Sequence, residues 1–378
     1  MHLPIRNGRR ERGDEAMETN KRLGKTQLFW FYVQSQIGIG ILSLPYSLYK
    51  EAQTDGWISL LMSAVLVQIA LLGLWFLHKR FPNDHLFSIC EKTLGVFAGK
   101  VLTLIYIVYF VYTAALVLKN FTQLIVIWIL IKTPEPVFMG LIIATCLPLL
   151  LSTLDQKARM FVLAAPLILL IPIVMIGGFF HNADFLNLLP IGVAKPSGLM
   201  KGTLAASFAI NGYIVMSLIF PYVKATAAEK IKVVSLAHWV VTFIYLVVVL
   251  ACYMTFSAGE MKLLPEPFLY LIKSFSFPIV ERIDLIFLCL WSVIVITTYA
   301  IYIYCGVIGT MTLFRSQRYH LFVILALLST FLVNLMPDSI FQVRKMITRT
   351  DEFGTTMNFV IPLLMLLIAV VFKRRSKV

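Results

Sequence analysis

Ten long apolar runs divide the sequence, and short polar or Pro/Gly-marked breaks separate them. A helix needs about 20 mostly apolar residues to cross a bilayer, so each run predicts a membrane-spanning helix. The predicted spans are 28–48, 57–77, 101–127, 137–154, 160–180, 202–223, 233–257, 283–313, 319–336 and 355–372. The runs do not alternate and are far longer than the roughly 10 residues of a barrel strand, which excludes a β-barrel. The predicted fold class is an all-α integral membrane protein with ten transmembrane helices.

Composition agrees with this prediction. The chain is 59% hydrophobic and 14% charged, whereas soluble domains carry about 25% charged residues. This excludes a soluble enzyme, a disordered chain and a disulfide-stapled secreted domain. The five cysteines form no CxxC or Cys/His cluster, so no metal site is indicated.

The basic residues give the orientation. With the N-terminus inside, the inner segments hold 22 of the 33 Lys and Arg residues, which predicts that both termini are cytoplasmic. The same orientation makes 337–354 an outer loop, although its Arg344, Lys345 and Arg349 run against the trend. The net charge of +14 therefore follows topology and does not indicate a nucleic-acid partner. The expected partner surface is the lipid bilayer.

The predicted organisation is a pair of five-helix repeats. We expect a basic cytoplasmic tail at 1–25, a first repeat at 26–180, an outer loop at 181–201, a second repeat at 202–372 and a basic cytoplasmic tail at 373–378. Translation from Met17 is an alternative start that the sequence leaves open.

The first spans of the two halves share one pattern. Each has a glycine near mid-span (Gly38, Gly212) and a Pro-Tyr pair further on, at Pro45 and Pro221. Glycine and proline disfavour a helix interior by about 1 and 3 kcal/mol. We therefore expect spans 1 and 6 to be discontinuous, as in an inverted repeat. Freed backbone groups suit a zwitterionic solute such as an amino acid; the alternative is that these residues only aid close helix packing.

A family resemblance rests on motifs spread along the chain. They are Gly38-Ile-Gly40-Ile-Leu-Ser-Leu-Pro45, Asp55-Gly-Trp-Ile58, Asn187-Leu-Leu-Pro190, Ser207-Phe208, Phe220-Pro-Tyr222, Glu281-Arg282, Trp291, Thr297-Thr298 and Met336-Pro-Asp338. With its ten spans, the chain resembles the endospore germination receptor B-subunit permeases, a branch of the amino acid–polyamine–organocation superfamily.

The resemblance implies a LeuT-like 5+5 inverted repeat in the inner membrane of the spore. It implies a nutrient germinant, and two partners: an A-type membrane subunit and a C-type lipoprotein. Some members of the family have an acidic residue just ahead of a basic one on span 3. Here Lys119 is present but position 117 is valine, which puts a proton or water path through such an acid in doubt.

The candidate ligand-binding residues surround the two expected breaks. They are Gln36, Gly38, Ile39, Gly40, Ile41, Tyr109, Tyr112, Ser207, Phe208, Asn211, Gly212, Thr297, Thr298 and Tyr302, with Lys119 at the entrance. Three of these assignments have alternatives. The threonines could bond back to their own helix, the tyrosines could serve packing or an interfacial belt, and Lys119 could extend to the outer surface.

Two functions fit this pattern. The first is a receptor subunit that binds a small nutrient at the breaks and signals to its partners. The second is a stand-alone, cation-coupled amino-acid transporter. No Asp or Glu lies at mid-depth in spans 1, 3, 6 or 8, which disfavours a proton-driven pump. No HExxH or GxSxG motif occurs, so we expect neither an enzyme nor a cofactor.

Overall fold

The computed structural model describes residues 23–275, 282–336 and 339–376, without the side chains of 176–182 and 208. Most of the predicted N-terminal tail, the end of the C-terminal tail and the Phe208 side chain therefore lie outside the described residues.

The first half of the chain contains spans 1 to 5. Its helices are α1 (Lys25–Gln36) and α2 (Gly40–Ala52) in span 1, α3 (Gly56–Arg80) in span 2, the short α4 (Leu86–Leu94), α5 (Val96–Trp128) in span 3, α6 (Glu135–Leu151) in span 4 and α7 (Leu154–Asn182) in span 5. A 3₁₀ turn, Gln53–Asp55, links the first two spans, and another, Phe185–Leu188, follows span 5.

The second half contains spans 6 to 10. Span 6 comprises α8 (Pro196–Ala209), a 3₁₀ turn (Asn211–Val215), α9 (Met216–Ile219) and a second 3₁₀ turn (Phe220–Tyr222). The later helices are α10 (Ala227–Thr255) in span 7, α11 (Ala258–Leu263), α12 (Pro267–Ser274), α13 (Ile283–Phe314) in span 8, α14 (Tyr319–Asn334) in span 9, and α15 (Ile340–Thr355) and α16 (Ile361–Val371) in span 10. A π-helical segment, Thr356–Val360, joins the last two.

Length and hydropathy support a membrane location. Six helical runs in the described residues are long and apolar enough to cross a bilayer, or seven if the bent pair in span 6 counts as one. Helices α6 and α14 are shorter apolar helices. Many large apolar side chains point outward, for example Val108, Leu163 and Ile173, as expected when lipid is the solvent.

Polar caps fix where several helices begin. The Thr153 hydroxyl accepts from the Gln156 amide at the start of α7, and the Gln156 side chain bonds back to Thr153. Thr226 and Glu229 repeat this capping box at the start of α10. Each box satisfies backbone N–H groups that the first turn of a helix leaves free.

Span 10 differs from its prediction. The segment 337–354 was expected to be an outer loop, but α15 already begins at Ile340. Arg344, Lys345 and Arg349 lower the hydropathy of this segment, so a hydropathy criterion misses a helix with one buried face. That face includes Val343 and Gly354.

Spans 3 and 8 pack along each other through the centre of the bundle. Helix α1 packs against spans 5 and 7, and α2 packs against α8. At the end of the bundle where span 1 begins, Leu23 pairs with the chain after span 6: its amide donates to Tyr222 O (2.8 Å), and its carbonyl accepts from Lys224 N (2.9 Å). The two broken spans are thus held together at this end as well as at their breaks.

Candidate functional site

Span 1 is interrupted at its centre. Helix α1 ends at Gln36 and α2 begins at Gly40, with Ile37, Gly38 and Ile39 between them. The expected discontinuity at Gly38 is confirmed. A Cβ atom at position 38 would lie 3.2 Å from Thr298 Cγ2, so the small residue also lets span 8 approach the break.

Span 6 is interrupted at the matching place. Helix α8 ends at Ala209, a 3₁₀ turn follows from Asn211, and the two parts of the span are bent by 44°. The discontinuity expected at Gly212 is also confirmed. Breaks of this kind are tolerated in a membrane where protein or a cavity satisfies the freed backbone groups.

The two breaks contact each other directly. Gln36 Nε2 donates to Ile210 O (2.9 Å). From span 7, the Tyr245 hydroxyl lies 2.9 Å from Gln36 O and 3.3 Å from Ala209 O. A Cβ atom at Gly212 would lie 1.8 Å from Ser35 O, so only glycine permits this approach. Sequence reasoning identified Gln36 and Gly212 but missed Tyr245, which has no break or motif to mark it.

Span 8 supplies hydroxyl groups to the first break. Thr297 Oγ1 donates to Gln34 Oε1 (2.7 Å) or to Ile294 O (2.7 Å). Thr298 Oγ1 lies 3.0–3.2 Å from the carbonyl oxygens of Gln34, Ile37 and Ile294. Both threonines are buried. They bond back to their own helix and also contact span 1, and contact with a ligand stays a prediction.

Span 10 supplies an asparagine that sequence reasoning missed. Asn358 Nδ2 donates to Tyr109 Oη (2.9 Å) and to Asn211 Oδ1 (2.7 Å). Asn358 Oδ1 is buried and has no hydrogen-bond partner among the described residues. The signal was available, because Asn358 is an amide within an apolar run, as is Asn211.

A carboxylate lies one to two turns before Asn358. Asp351 is half-buried in α15, about one turn before Gly354, where an added Cβ atom would lie 2.7 Å from Tyr109 Oη. The prediction placed it in an outer loop. Spans 1, 3, 6 and 8 do lack a central acid, but span 10 carries one beside them, so the argument against a driven transporter is weaker than the sequence suggested.

Several candidates make no polar contact with the breaks among the described hydrogen bonds. Ile39 and Ile41 are buried in the apolar core, and Tyr302 packs on Phe110 with ring centroids 6.3 Å apart. The Ser207 hydroxyl donates to Leu204 O in its own helix (2.7 Å). Tyr112 is half-buried. At Gly40 a Cβ atom would make ordinary contact with Ala209 at 3.8 Å, so a methyl group fits at this position without overlap.

Lys119 differs from the expected entrance residue. Only 4% of its side chain is exposed, and Nζ lies 3.0 Å from Glu135 Oε2 and 3.1 Å from Asn334 O. The ammonium thus joins spans 3, 4 and 9. The carboxylate that it binds belongs to the protein itself, and attraction of a ligand carboxylate stays a prediction.

Comparisons with known proteins agree with this geometry. A family model described as "Spore germination protein" matches residues 22–343. Spore germination protein GerQB of Bacillus cereus is 24% identical over 270 residues, covering 70% of this chain and 73% of its own. Spore germination protein A2 of Bacillus subtilis is 24% identical over 329 residues, covering 86% and 90%.

Among solved structures, MhsT in complex with L-phenylalanine superposes with a TM-score of 0.67 at 13% identity. The match covers 92% of this chain and 89% of MhsT. At this identity the likeness shows the fold alone, which is that of the LeuT-like transporters.

Proposed function

The chain belongs to the spore germination protein family, and from that premise we propose that it is a germinant-receptor subunit. In this proposal a small nutrient, an amino acid, binds between the broken helices of spans 1 and 6. Binding then biases the subunit's conformation, and the bias passes to an A-type membrane subunit and a C-type lipoprotein. The receptor lies in the inner membrane of the spore with both termini in the cytoplasm.

The observation that carries this proposal is the contact of the two breaks beside polar groups from spans 3 and 10. Backbone N–H groups at a half-helix start suit a carboxylate, and free oxygens suit an ammonium group. Asn358 Oδ1 is such an oxygen, because a buried acceptor without a partner costs about 1–3 kcal/mol until a donor reaches it. The apolar residues Ile39, Ile41 and Ile210 favour a ligand with a small apolar side chain. The amino-acid ligand of MhsT, a protein of the same fold, supports the ligand class.

Signalling requires that the ligand bind one conformation more tightly than another. Each tenfold shift in the conformational equilibrium needs about 1.4 kcal/mol of differential binding. Span 10 contributes Asn358 at the site, so it is one element through which ligand contact could alter the bundle's packing.

The test is a pair of leucine substitutions in spores. Gly40→Leu fills the space next to Ala209, whereas Gly140→Leu adds the same side chain where no described atom lies within 4 Å of a new Cβ. We expect both proteins at normal levels in the spore membrane, with the nutrient response lost only in Gly40→Leu. A normal response in Gly40→Leu would refute the proposed site.

A second candidate function, cation-coupled transport, is favoured by the oxygen cluster at Thr298. Two of these carbonyl oxygens, Gln34 O and Ile37 O, belong to the break of span 1, and one hydroxyl proton cannot satisfy both at once. Carbonyl and hydroxyl oxygens are hard ligands that suit a cation such as Na⁺. Uptake by vesicles that contain this chain alone distinguishes a transporter from a receptor subunit. Na⁺-driven amino-acid uptake that Thr298→Val abolishes and Thr298→Ser retains would establish transport.

A further inference from the structure

A basic cleft lies at the end of the molecule where span 2 ends and span 10 ends. We use this name for the surface formed by Lys79, Arg80, Lys92, Lys373, Arg374 and Arg375. The segment after α16 is fixed there by hydrogen bonds. Ser376 N donates to Arg80 O (3.0 Å), and Arg374 Nη1 donates to the carbonyl oxygens of Lys92 (3.3 Å) and Thr93 (2.5 Å).

Two adjoining cavities open within the basic cleft. One has a volume of about 470 Å³ and is lined by Lys79, Arg80 and Arg375, together with Phe76. The other, of about 520 Å³, is lined by Lys92 and by the residues from Phe372 to Ser376. Arg375 and Ser376 line both, so the two cavities are immediate neighbours.

The positive charge of the cleft is largely uncompensated. Asp84 binds Lys92, with both carboxylate oxygens 2.6–2.7 Å from Nζ. Arg80 and Arg374 donate to neutral carbonyl groups, and Lys79 lies over the Trp75 ring, 4.9 Å from its centroid. Among the described ion pairs, Asp84 is the one acid that neutralises a cation of the cleft. Like charges that line one cleft repel one another, and a bound anion would offset this repulsion.

The rim of the cleft is apolar on the side of the membrane. Phe76 is 50% exposed and Phe372 is 66% exposed, and each lies near the end of a span, next to the cations. An aromatic ring at this depth can contact acyl chains while the adjacent cations bind head groups. A free phosphate ion or an acidic protein segment has no acyl chain to contact this apolar rim.

We propose that the basic cleft binds the phosphate-bearing head group of an anionic phospholipid. The Lys and Arg donors then bind the phosphate oxygens with charge-assisted hydrogen bonds. Span 10 joins this site to the breaks, because α16 packs on α3 near the cleft and Asn358 contacts Asn211 from the middle of the same span. A bound lipid would therefore fix the position of a span that contributes to the ligand site.

The test uses the full chain, purified in mild detergent, and measures its melting temperature as lipid is added. The probes are dioleoyl phosphatidylglycerol, dioleoyl phosphatidylcholine and inorganic phosphate. The cleft variant is Lys79→Gln/Lys373→Gln/Arg375→Gln, whose side chains are on the surface. The matched control, Lys224→Gln/Lys232→Gln/Arg318→Gln, removes the same charge from exposed positions outside the cleft.

We expect phosphatidylglycerol to stabilise the wild type and the control, with an affinity at least about tenfold lower in the cleft variant. An equal loss in both variants would reduce the effect to general electrostatic attraction and overturn the proposal. Equal stabilisation by inorganic phosphate would assign the cleft to a soluble anion instead. No effect of phosphatidylglycerol, with cleft-dependent binding of a polyglutamate peptide, would assign it to an acidic protein segment. If the triple variant melts lower without lipid, Arg375→Gln alone repeats the test, since this residue lines both cavities.

Discussion

At position 212 the backbone of span 6 lies against the backbone of span 1, and this contact has no room for a side chain. At position 40 the opposite holds, because an added Cβ atom would meet Ala209 at an ordinary distance of 3.8 Å. The two glycines look alike in the sequence, where both simply precede a proline within an apolar run. Their different roles become apparent only from the packing of the two spans.

This difference predicts opposite results for the same small substitution. Gly212→Ala would place Cβ 1.8 Å from Ser35 O, so the breaks must separate, at a cost of about 1–3 kcal/mol. Gly40→Ala should be tolerated, with stability close to that of the wild type. Thermal melting of the purified proteins measures both effects. Equal melting temperatures for the two variants would contradict the described contact.

Other site residues show how far sequence reasoning extends at this scale. Thr297 and Thr298 were identified from their place on span 8, and the structure brings both to the first break. Asn358 and Tyr245 were not identified, although both bond directly to the breaks. A hydrophobic pattern locates a span but does not fix its rotation, so it cannot tell which polar side chains face inward.

At the level of helices, the breaks and the span order were predictable, but the extent of span 10 was not. A stretch with three basic residues resembles a loop when hydropathy alone is considered, yet α15 buries one face and exposes those charges. The π-helical segment at Thr356–Val360 was likewise unexpected. Such segments are often found at functional sites, and this one contains Asn358.

The ion pair of buried Lys119 and half-buried Glu135 joins spans 3 and 4, with span 9 contributing Asn334 O. Glu135→Gln leaves the ammonium of Lys119 buried without its counter-ion, whereas Lys119→Met leaves Glu135, whose side chain is 28% exposed. An unpaired buried charge is strongly destabilising. We therefore expect Glu135→Gln to lower stability by about 1–3 kcal/mol more than Lys119→Met.

The double variant Lys119→Met/Glu135→Gln completes the cycle for this pair. It should recover part of the stability that Glu135→Gln loses, because neither charge then remains buried. Denaturation of the wild type, the two single variants and the double variant under one condition gives the coupling free energy between Lys119 and Glu135. Strictly additive losses would show that the pair does not link the spans as described.

For the whole molecule, the order of spans follows from the hydrophobic pattern. The LeuT-like fold is what the family resemblance implies, and the structure's likeness to MhsT confirms it. Orientation depends on the distribution of Lys and Arg alone. That distribution predicts that α11 is outside and that the chain between spans 8 and 9 is inside. Lys262 and Arg318 are exposed residues in these two places.

Cysteine labelling in intact cells tests the orientation. A membrane-impermeant maleimide should label Lys262→Cys but not Arg318→Cys, and permeabilisation should make both accessible. The exposed native Cys289 lies in span 8, so replacing it with serine in both variants removes the background. Labelling of Arg318→Cys alone in intact cells would reverse the topology.

We propose that an amino acid binds where the breaks of spans 1 and 6 meet. The most direct test is the melting temperature of the purified chain with glycine, alanine, valine, leucine, lysine or glutamate. A ligand at 100 times its Kd stabilises the folded state by about 2.7 kcal/mol. We predict a saturable rise in Tm with at least one amino acid of small apolar side chain, kept in Gly140→Leu and lost in Gly40→Leu. A rise in Tm of equal size in Gly40→Leu would show that the amino acid does not bind between the two breaks.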